Sequence, residues 1–243
     1  MENIKYSLIV PAYNEEKYIE RCLQSLLSQN YPSYEIIVVD NNSTDRTAEI
    51  AKGLVDKVLS EPRKGYIHAT NRGARQARGK YISFCDADSL YPPNWLEKVN
   101  RKFEKSPEIV VVYGPTFFSD YNFFVNNMAG IAHSLFLIYS KLRGLNVTAG
   151  YNTVMNRDSY FKVGGYDENI YNSIGIDLEL GKRLRSVGKV KLNSANFVST
   201  SSRRFKEDGM LKAIHYHIEM CNNVRKEKSQ SISYEEYNRE YGR

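Results

Sequence analysis

The sequence predicts an α/β fold in which helices flank a single open, mostly parallel, twisted sheet. Short apolar segments alternate with amphipathic helical patterns throughout residues 1–113, as in sheets built from right-handed crossover units. Several of these segments are apolar at successive positions, which is typical of strands covered on both faces. The 243 residues are enough for one large domain with a full core.

Five strands and four helices account for this first half in strict alternation. The strands are short and rich in β-branched residues, and they are predicted at residues 6–11, 35–40, 57–59, 81–85 and 109–113. The helices repeat apolar residues every three or four positions, and they are predicted at residues 15–29, 45–53, 66–78 and 92–105. Asn14 is placed to cap the first helix, and Ser43 or Thr44 the second.

The second half is less regular. Residues 117–145 are aromatic and apolar, which predicts a buried helix pair or a flap over the sheet, with a surface that touches a bilayer or a lipid tail as the alternative. Leu178, Leu180 and Leu184 indicate a further helix, and residues 206–228 a basic terminal helix before a polar tail. We therefore expect a ligand-binding half at 1–113, a second half of the same domain at 114–205, and a terminal helix and tail at 206–243.

Composition and charge exclude several classes of protein and indicate the kind of ligand. The 42% hydrophobic and 26% charged residues exclude collagen-like and disordered classes. Of the net charge of +6, +5 lies in residues 61–80, which indicates an anionic ligand such as a diphosphate, a lipid head group or a nucleic acid. This segment contains no aromatic strip of the kind that reads nucleic acid, so no nucleic-acid partner is expected.

Cysteine content and hydropathy predict the compartment. Three cysteines are too few and too scattered for a disulfide framework or a cysteine zinc site, which favours a reducing compartment. No apolar run reaches the roughly 18–20 residues that span a bilayer, and the N-terminal sequence does not resemble a signal peptide. The expectation is a cytoplasmic protein, with peripheral contact at the cytoplasmic face of the membrane.

Carboxylates follow two of the predicted strands. Asp86 and Asp88 flank one residue at the end of the fourth strand, where hard oxygen ligands suit a divalent cation that bridges phosphates. The alternative is a turn in which Asp86 caps the next element. Asp40 closes the second strand, where it can bind a ribose or base, or form an Asx-turn with Ser43 or Thr44.

Asp177 begins a predicted helix. Such a residue commonly stabilises the helix N-terminus, and taken alone this interpretation is favoured. The functional interpretation is a general base that takes a proton from an incoming hydroxyl.

Several segments, taken together, are more specific than any one of them. In chain order they are SLIVPAYNEE at 7–16, IVVDNNSTD at 37–45, NRG at 71–73, ARGKYI at 77–82, DAD at 86–88, GGYDE at 164–168 and GIDLEL at 175–180. In this order and spacing the chain resembles the family 2 glycosyltransferases of the GT-A fold over residues 5–205.

The resemblance implies an inverting transfer of a sugar from a UDP- or GDP-linked donor, with Mg²⁺ or Mn²⁺ as cofactor. It implies that Asp177 is the catalytic base, that Asp88 binds the metal and that Asp86 contacts the ribose or sugar. The remaining donor-binding positions that it implies are Pro11, Ala12, Tyr13, Glu15, Asp40, Asn71 and Arg204.

The chain also departs from this family. Ile176 stands where the family has an acidic residue before the base, and SSRRF at 201–205 replaces the Q-x-x-R-W motif of processive synthases. The expectation is therefore transfer of a single sugar, with Arg203 or Arg204 clamping a phosphate. The acceptor is expected to be a glycan or a lipid-linked sugar. Two alternatives stay open: a nucleotidyltransferase-like enzyme that releases pyrophosphate, and a non-catalytic module that binds sugar nucleotides.

Overall fold

The computed structural model describes residues 4–120, 123–142, 150–168 and 176–203. Its strands are β1 (Tyr6–Ala12), β2 (Tyr34–Asp40), β3 (Val58–Ser60), β4 (Tyr81–Phe84), β5 (Ser89–Leu90), β6 (Ile109–Tyr113), β7 (Thr116–Phe118), β8 (Thr153–Asn156), β9 (Lys189–Leu192) and β10 (Val198–Thr200). Its helices are α1 (Ile19–Leu27), α2 (Thr47–Lys52), α3 (Tyr66–Gln76), α4 (Trp95–Lys105), α5 (Phe123–Leu142), α6 (Arg157–Lys162) and α7 (Ile176–Arg185), and a 3-10 turn spans Gly150–Asn152.

The main sheet confirms the predicted fold class. Its seven strands have the order β3-β2-β1-β4-β8-β6-β9. Neighbouring strands run parallel except around β8, which is antiparallel to both β4 and β6. A small second sheet has the order β5-β10-β7.

The core forms two layers, one on each face of the main sheet. Leu8 and Val10 of β1 pack with residues of α1 and α4, whereas Ile9 packs on the opposite face with residues of α3 and α7. Gly73 lets α3 lie directly on the sheet, since a Cβ there would come within 2.3 Å of a methyl carbon of Ile9. Burial on both faces is why the strands are apolar at successive positions.

The predicted caps of the first two helices were wrong. Asn14 adopts a positive φ of 54° and lies outside α1. Its Oδ1 atom accepts a hydrogen bond from the Thr44 N–H at 2.8 Å, so it ties two loops together. At α2 the Thr47 N–H donates to Asp45 Oδ1 at 3.0 Å, so Asp45 satisfies the helix start in place of Ser43 or Thr44.

Residues 117–145 were predicted to form a buried helix pair or a flap over the sheet. The described residues of this segment belong to strand β7 and to one helix, α5, so the helix pair was wrong. Only part of α5 faces the protein: Leu137 is buried against Tyr113 and Leu178. Large apolar side chains on another face are exposed, namely Phe124, Met128, Ile131, Leu135, Ile138, Tyr139 and Leu142. Among the described residues, no helix has the length and apolar character needed to cross a membrane. The helix predicted at 206–228 lies outside the described residues.

Candidate active site

The carboxyl ends of β1, β2 and β4 meet at one edge of the main sheet. The register pairs Ala12 with Asp40 across β1 and β2, and Ile9 with Phe84 across β1 and β4. Asp40 and the Asp86–Asp88 segment therefore flank the end of β1, and adjacent strands lie about 4.8 Å apart. Ligands of such sheets bind in a crevice at this edge.

The residues around the end of β1 lie at the edge of the sheet where such a crevice is expected. Pro11 and Ala12 are buried within the strand, whereas the Tyr13 side chain is 45% exposed just beyond it. The Lys64 Nζ atom lies 5.4 Å from the centroid of the Tyr13 ring. The Ser43 N–H lies 3.4 Å from Asp40 Oδ1, which agrees with an Asx-type turn there. An exposed aromatic ring beside a lysine suits a stacked base with a phosphate nearby.

Arg203 joins two of the predicted site residues. Its guanidinium donates to both carboxylate oxygens of Glu15, and its Nη2 atom lies 3.3 Å from Asp88 Oδ2. These partners, Glu15 first, raise the pKa of Arg203 further above its usual range. Thr200 Oγ1 donates to Asp88 Oδ1 at 3.3 Å. The end of β10 is thus bound into the crevice beside β4, whereas Arg204 lies outside the described residues.

Asp177 is held from two sides near the start of α7. The Tyr166 hydroxyl donates to its Oδ1 atom, and the Gly150 N–H donates to its Oδ2 atom at 3.1 Å. Burial raises the pKa of Asp177, and these two hydrogen bonds oppose that rise. Gly150 has no side chain to interfere, since a Cβ there would lie 3.2 Å from Asp177 Oδ1.

Three of the predicted carboxylates share one electrostatic neighbourhood. Burial raises the pKa of Tyr151 to about 12, and the charges of Asp86, Asp177 and Asp88 contribute. The pKa of Tyr66 is raised by burial and then by Asp86 and Asp177. The charges of Asp86 and Asp177 therefore act on both tyrosines and that of Asp88 on Tyr151, while Asp40 lies on the other side of β1.

Asn71 supports the loop that contains Tyr166. It is buried, and its Nδ2 atom donates to the Tyr166 carbonyl at 2.9 Å. Its Oδ1 atom accepts from the Tyr160 hydroxyl at 2.6 Å. These bonds attach the GGYDE segment to α3, and the predicted contact of Asn71 with a donor stays a prediction.

The basic segment at 61–80 is less available to an anion than its charge suggests. Arg63 pairs with Glu61 and Glu168, and Arg75 also reaches Glu168. Arg78 pairs with the buried Glu35 at 3.1 Å. Carboxylates remote in sequence thus neutralise much of this charge, which a count over twenty residues could not include.

The carboxylates at this edge are candidate ligands for a divalent cation. Among the described residues, no group of three or more His, Cys, Asp or Glu side chains could hold a metal. Mg²⁺ and similar ions, however, commonly bind one or two carboxylates together with substrate phosphates and water. In the described part of the chain, Thr200 Oγ1 and Arg203 Nη2 each lie 3.3 Å from an oxygen of the Asp88 carboxylate. Asp86 and Asp88 therefore fit a cation that arrives with a diphosphate.

Sequence reasoning missed Tyr66, Gly150 and Tyr151 entirely, and it gave Tyr166 no role of its own. Gly150 and Tyr151 precede β8 in a stretch without periodicity, so no local pattern marks them. Tyr166 lies inside the GGYDE segment, and that motif was the available signal.

Comparison with protein families and curated proteins gives a consistent result. A family model described as Glycosyl transferase family 2 matches residues 7–164. An uncharacterized glycosyltransferase of Haemophilus influenzae is 27% identical over 236 residues, covering 87% of this chain and 93% of that protein. Glycosyltransferase AglE of Haloferax volcanii is 37% identical over 100 residues, covering 38% of this chain and 33% of that protein. The chain thus covers well under two thirds of several of its relatives.

Solved structures share the fold. Staphylococcus aureus TarS (residues 1–349) in complex with UDP-GlcNAc has a TM-score of 0.66 at 22% identity, covering 82% of this chain and 59% of that one. The mannosyltransferase PcManGT of Pyrobaculum calidifontis, in complex with GDP-Man and Mn²⁺, has a TM-score of 0.63 at 21% identity, covering 87% and 64%. At this identity the likeness shows the GT-A fold alone.

Proposed function

The chain belongs to glycosyl transferase family 2, and on that premise we propose that it moves one sugar from a nucleotide-diphosphate-sugar donor to an acceptor hydroxyl, with inversion. The observation that carries the proposal is that Tyr166, whose hydroxyl donates to Asp177, packs its ring 5.3 Å from that of Phe84 at the end of β4, two residues before Asp86. Two carboxylates at the strand end suit a diphosphate with its cation, and a separate buried carboxylate suits a base.

The proposed reaction is a single displacement at the anomeric carbon. Asp177 accepts the proton of the acceptor hydroxyl while its oxygen forms the new glycosidic bond. The bond to the diphosphate breaks, and its electron pair leaves with the phosphate oxygen. A bound Mg²⁺ or Mn²⁺, held by Asp88 with Asp86, would neutralise charge on that diphosphate. Burial raises the pKa of Asp177, which brings a carboxylate closer to the range useful for general-base catalysis.

The proposed donor pocket lies at the end of β1. Tyr13 and Lys64, which contact each other, would pack against the base. Asp40 would accept hydrogen bonds from the base or ribose. Glu15 is held at the same edge by its ion pair with Arg203. UDP- and GDP-linked sugars are the proposed donors, since TarS is in complex with UDP-GlcNAc and PcManGT with GDP-Man.

Nucleotide release from UDP- and GDP-linked sugars tests this function. In the presence of Mn²⁺ or Mg²⁺, and with water as the acceptor, we expect slow release of UDP or GDP from one donor and no release of pyrophosphate. Chelation of the metal should stop the release. Pyrophosphate as the product would favour a nucleotidyltransferase, and donor binding without any turnover would favour a binding module.

The proposed acceptor is a glycan or a lipid-linked sugar, met at a membrane surface. Apart from Tyr139, the exposed apolar residues of α5 recur at alternating intervals of four and three, so they form one stripe along the helix. A contiguous apolar surface of this kind marks an interaction site. The net charge of +6 suits the anionic lipids of the cytoplasmic leaflet, which is where we place the contact.

Vesicle flotation tests the membrane contact. We expect the protein to float with vesicles of phosphatidylcholine and phosphatidylserine, and the double variant Ile131→Glu, Leu135→Glu to lose most of this binding, because it places two charges on the stripe. Leu27→Glu is the matched control, since Leu27 is 45% exposed on α1. Equal flotation of the double variant and the parent would reject the contact, and so would a dimer in solution that this variant dissociates.

A further inference from the structure

Tyr166 lies between Asp177 and a buried network that reaches α3. The Tyr166 side chain is 3% exposed. Its backbone N–H donates to the Tyr160 hydroxyl at 3.0 Å, and that hydroxyl donates to Asn71 Oδ1 at 2.6 Å. The Asn71 Nδ2 atom donates a hydrogen bond to the Tyr166 carbonyl at 2.9 Å. The backbone of Tyr166 is therefore fixed on both sides of its side chain.

Aromatic packing fixes the Tyr166 ring as well. Its centroid lies 5.3 Å from that of Phe84 on β4, 6.1 Å from that of Tyr160 and 6.2 Å from that of Tyr66. Rings at these separations and tilts pack favourably and restrict rotation. The hydroxyl is consequently directed at Asp177 Oδ1.

We infer that Tyr166 is the positioning residue for Asp177, an inference that rests on the proposed function. Its hydroxyl holds one carboxylate oxygen while the Gly150 N–H holds the other at 3.1 Å, so both the place and the rotation of the carboxylate are set. A base fixed in this way needs no reorientation when the acceptor arrives, which is a recognised source of rate. The GGYDE segment thereby acts on the chemistry through Asp177.

The hydrogen bond has a consequence for pH dependence. A donor to a carboxylate favours its charged form, so the Tyr166 hydroxyl lowers the pKa of Asp177 while burial raises it. Among the described residues, the phenols of Tyr66 and Tyr151 interact electrostatically with Asp177, and the charge of Asp86 acts on the same two phenols. On α7 itself, Glu179 and Arg183 pair with each other. Loss of the Tyr166 hydroxyl therefore raises the pKa of Asp177, and a base with a raised pKa loses its charged form at a higher pH.

The test is Tyr166→Phe, which keeps the ring and removes the hydroxyl. We expect the acid limb of kcat for donor turnover to move up by about one pH unit, since a hydrogen bond to a charged group has about this effect. At a pH below the acid limb, kcat of the variant should be about tenfold lower than kcat of the parent, and the KM for the donor should be unchanged. The ¹³C carboxyl signal of Asp177, assigned by its loss in Asp177→Asn, should show the same shift without any turnover.

Tyr34→Phe is the matched control, since the Tyr34 hydroxyl bonds the Leu27 carbonyl away from the crevice at 3.1 Å. It should leave both titrations at the parent positions. If Tyr166→Phe also leaves both at the parent positions, the inference is wrong while the proposed function stands. If the parent consumes no donor, the proposed function fails, and the carboxyl titration still reports whether Tyr166 sets the state of Asp177.

Discussion

Replacement of Asp177 by Asn is expected to lower sugar transfer by about 10²–10⁴-fold, the usual contribution of a general base. The amide has nearly the same shape as the carboxylate, but it cannot take the proton from the acceptor hydroxyl. Donor affinity should stay within about twofold of the parent, because Asp177 is proposed to contact the acceptor hydroxyl and not the nucleotide. Steady-state turnover and calorimetric donor binding measure the two effects separately.

The pH profile gives the same assignment a second test. Burial raises the folded-state pKa of Asp177 above its ordinary value, so the parent should lose activity as the pH falls through that raised pKa. Asp158→Asn is the matched control, since the Asp158 side chain is 88% exposed and its loss should leave the profile unchanged. Parent-level turnover by Asp177→Asn would rule out the role of base.

Replacement of Asp88 by Ala is expected to remove the metal-dependent part of donor binding. With Mn²⁺ present, affinity for UDP or GDP should fall at least about tenfold, since a cation that bridges a carboxylate and a diphosphate loses its protein ligand. Arg203 keeps its bonds to Glu15 in this variant, so the end of β10 should stay in place. Titration calorimetry with the nucleoside diphosphate measures the change.

The chelated parent is the informative comparison for Asp88→Ala. In EDTA the parent should bind the nucleotide as weakly as the variant does, and the variant should not respond to EDTA at all. Asp158→Ala should behave as the parent. An Asp88→Ala protein that binds the nucleotide with full affinity in Mn²⁺ would reject the metal role.

The predictable part of the fold is the part that local sequence determines. Strands buried on both faces are apolar at most positions, so β1, β2 and β6 stand out in the sequence, and α4 shows its apolar face at helical spacing. β8 has four residues, TVMN, and no marked pattern. Its place depends on pairing with β4 and β6, which are remote in sequence, so no local signal predicts it.

The candidate site also has a part that local sequence predicts and a part that depends on the tertiary fold. The carboxylates at strand ends could be predicted, because a strand followed by a turn sets their position. The ion pair between Arg203 and Glu15 joins residues 188 positions apart, and the charges of Arg75 and Arg78 are balanced by Glu168 and Glu35. Such pairings follow from the tertiary fold and are invisible to a charge count along the chain.

The antiparallel strand at the centre of the sheet also bears on how the protein is made. β4 and β6 do not pair with each other; each pairs with β8. A nascent chain that has emerged only as far as Tyr113 therefore exposes one unpaired edge of β4 and both edges of β6, since β9 also follows later in the chain. Unpaired edges are the kind of surface that recruits other chains into aggregates. The ribosome must deliver some forty further residues before Thr153–Asn156 can close the gap, so this interval is the vulnerable stage of biosynthesis.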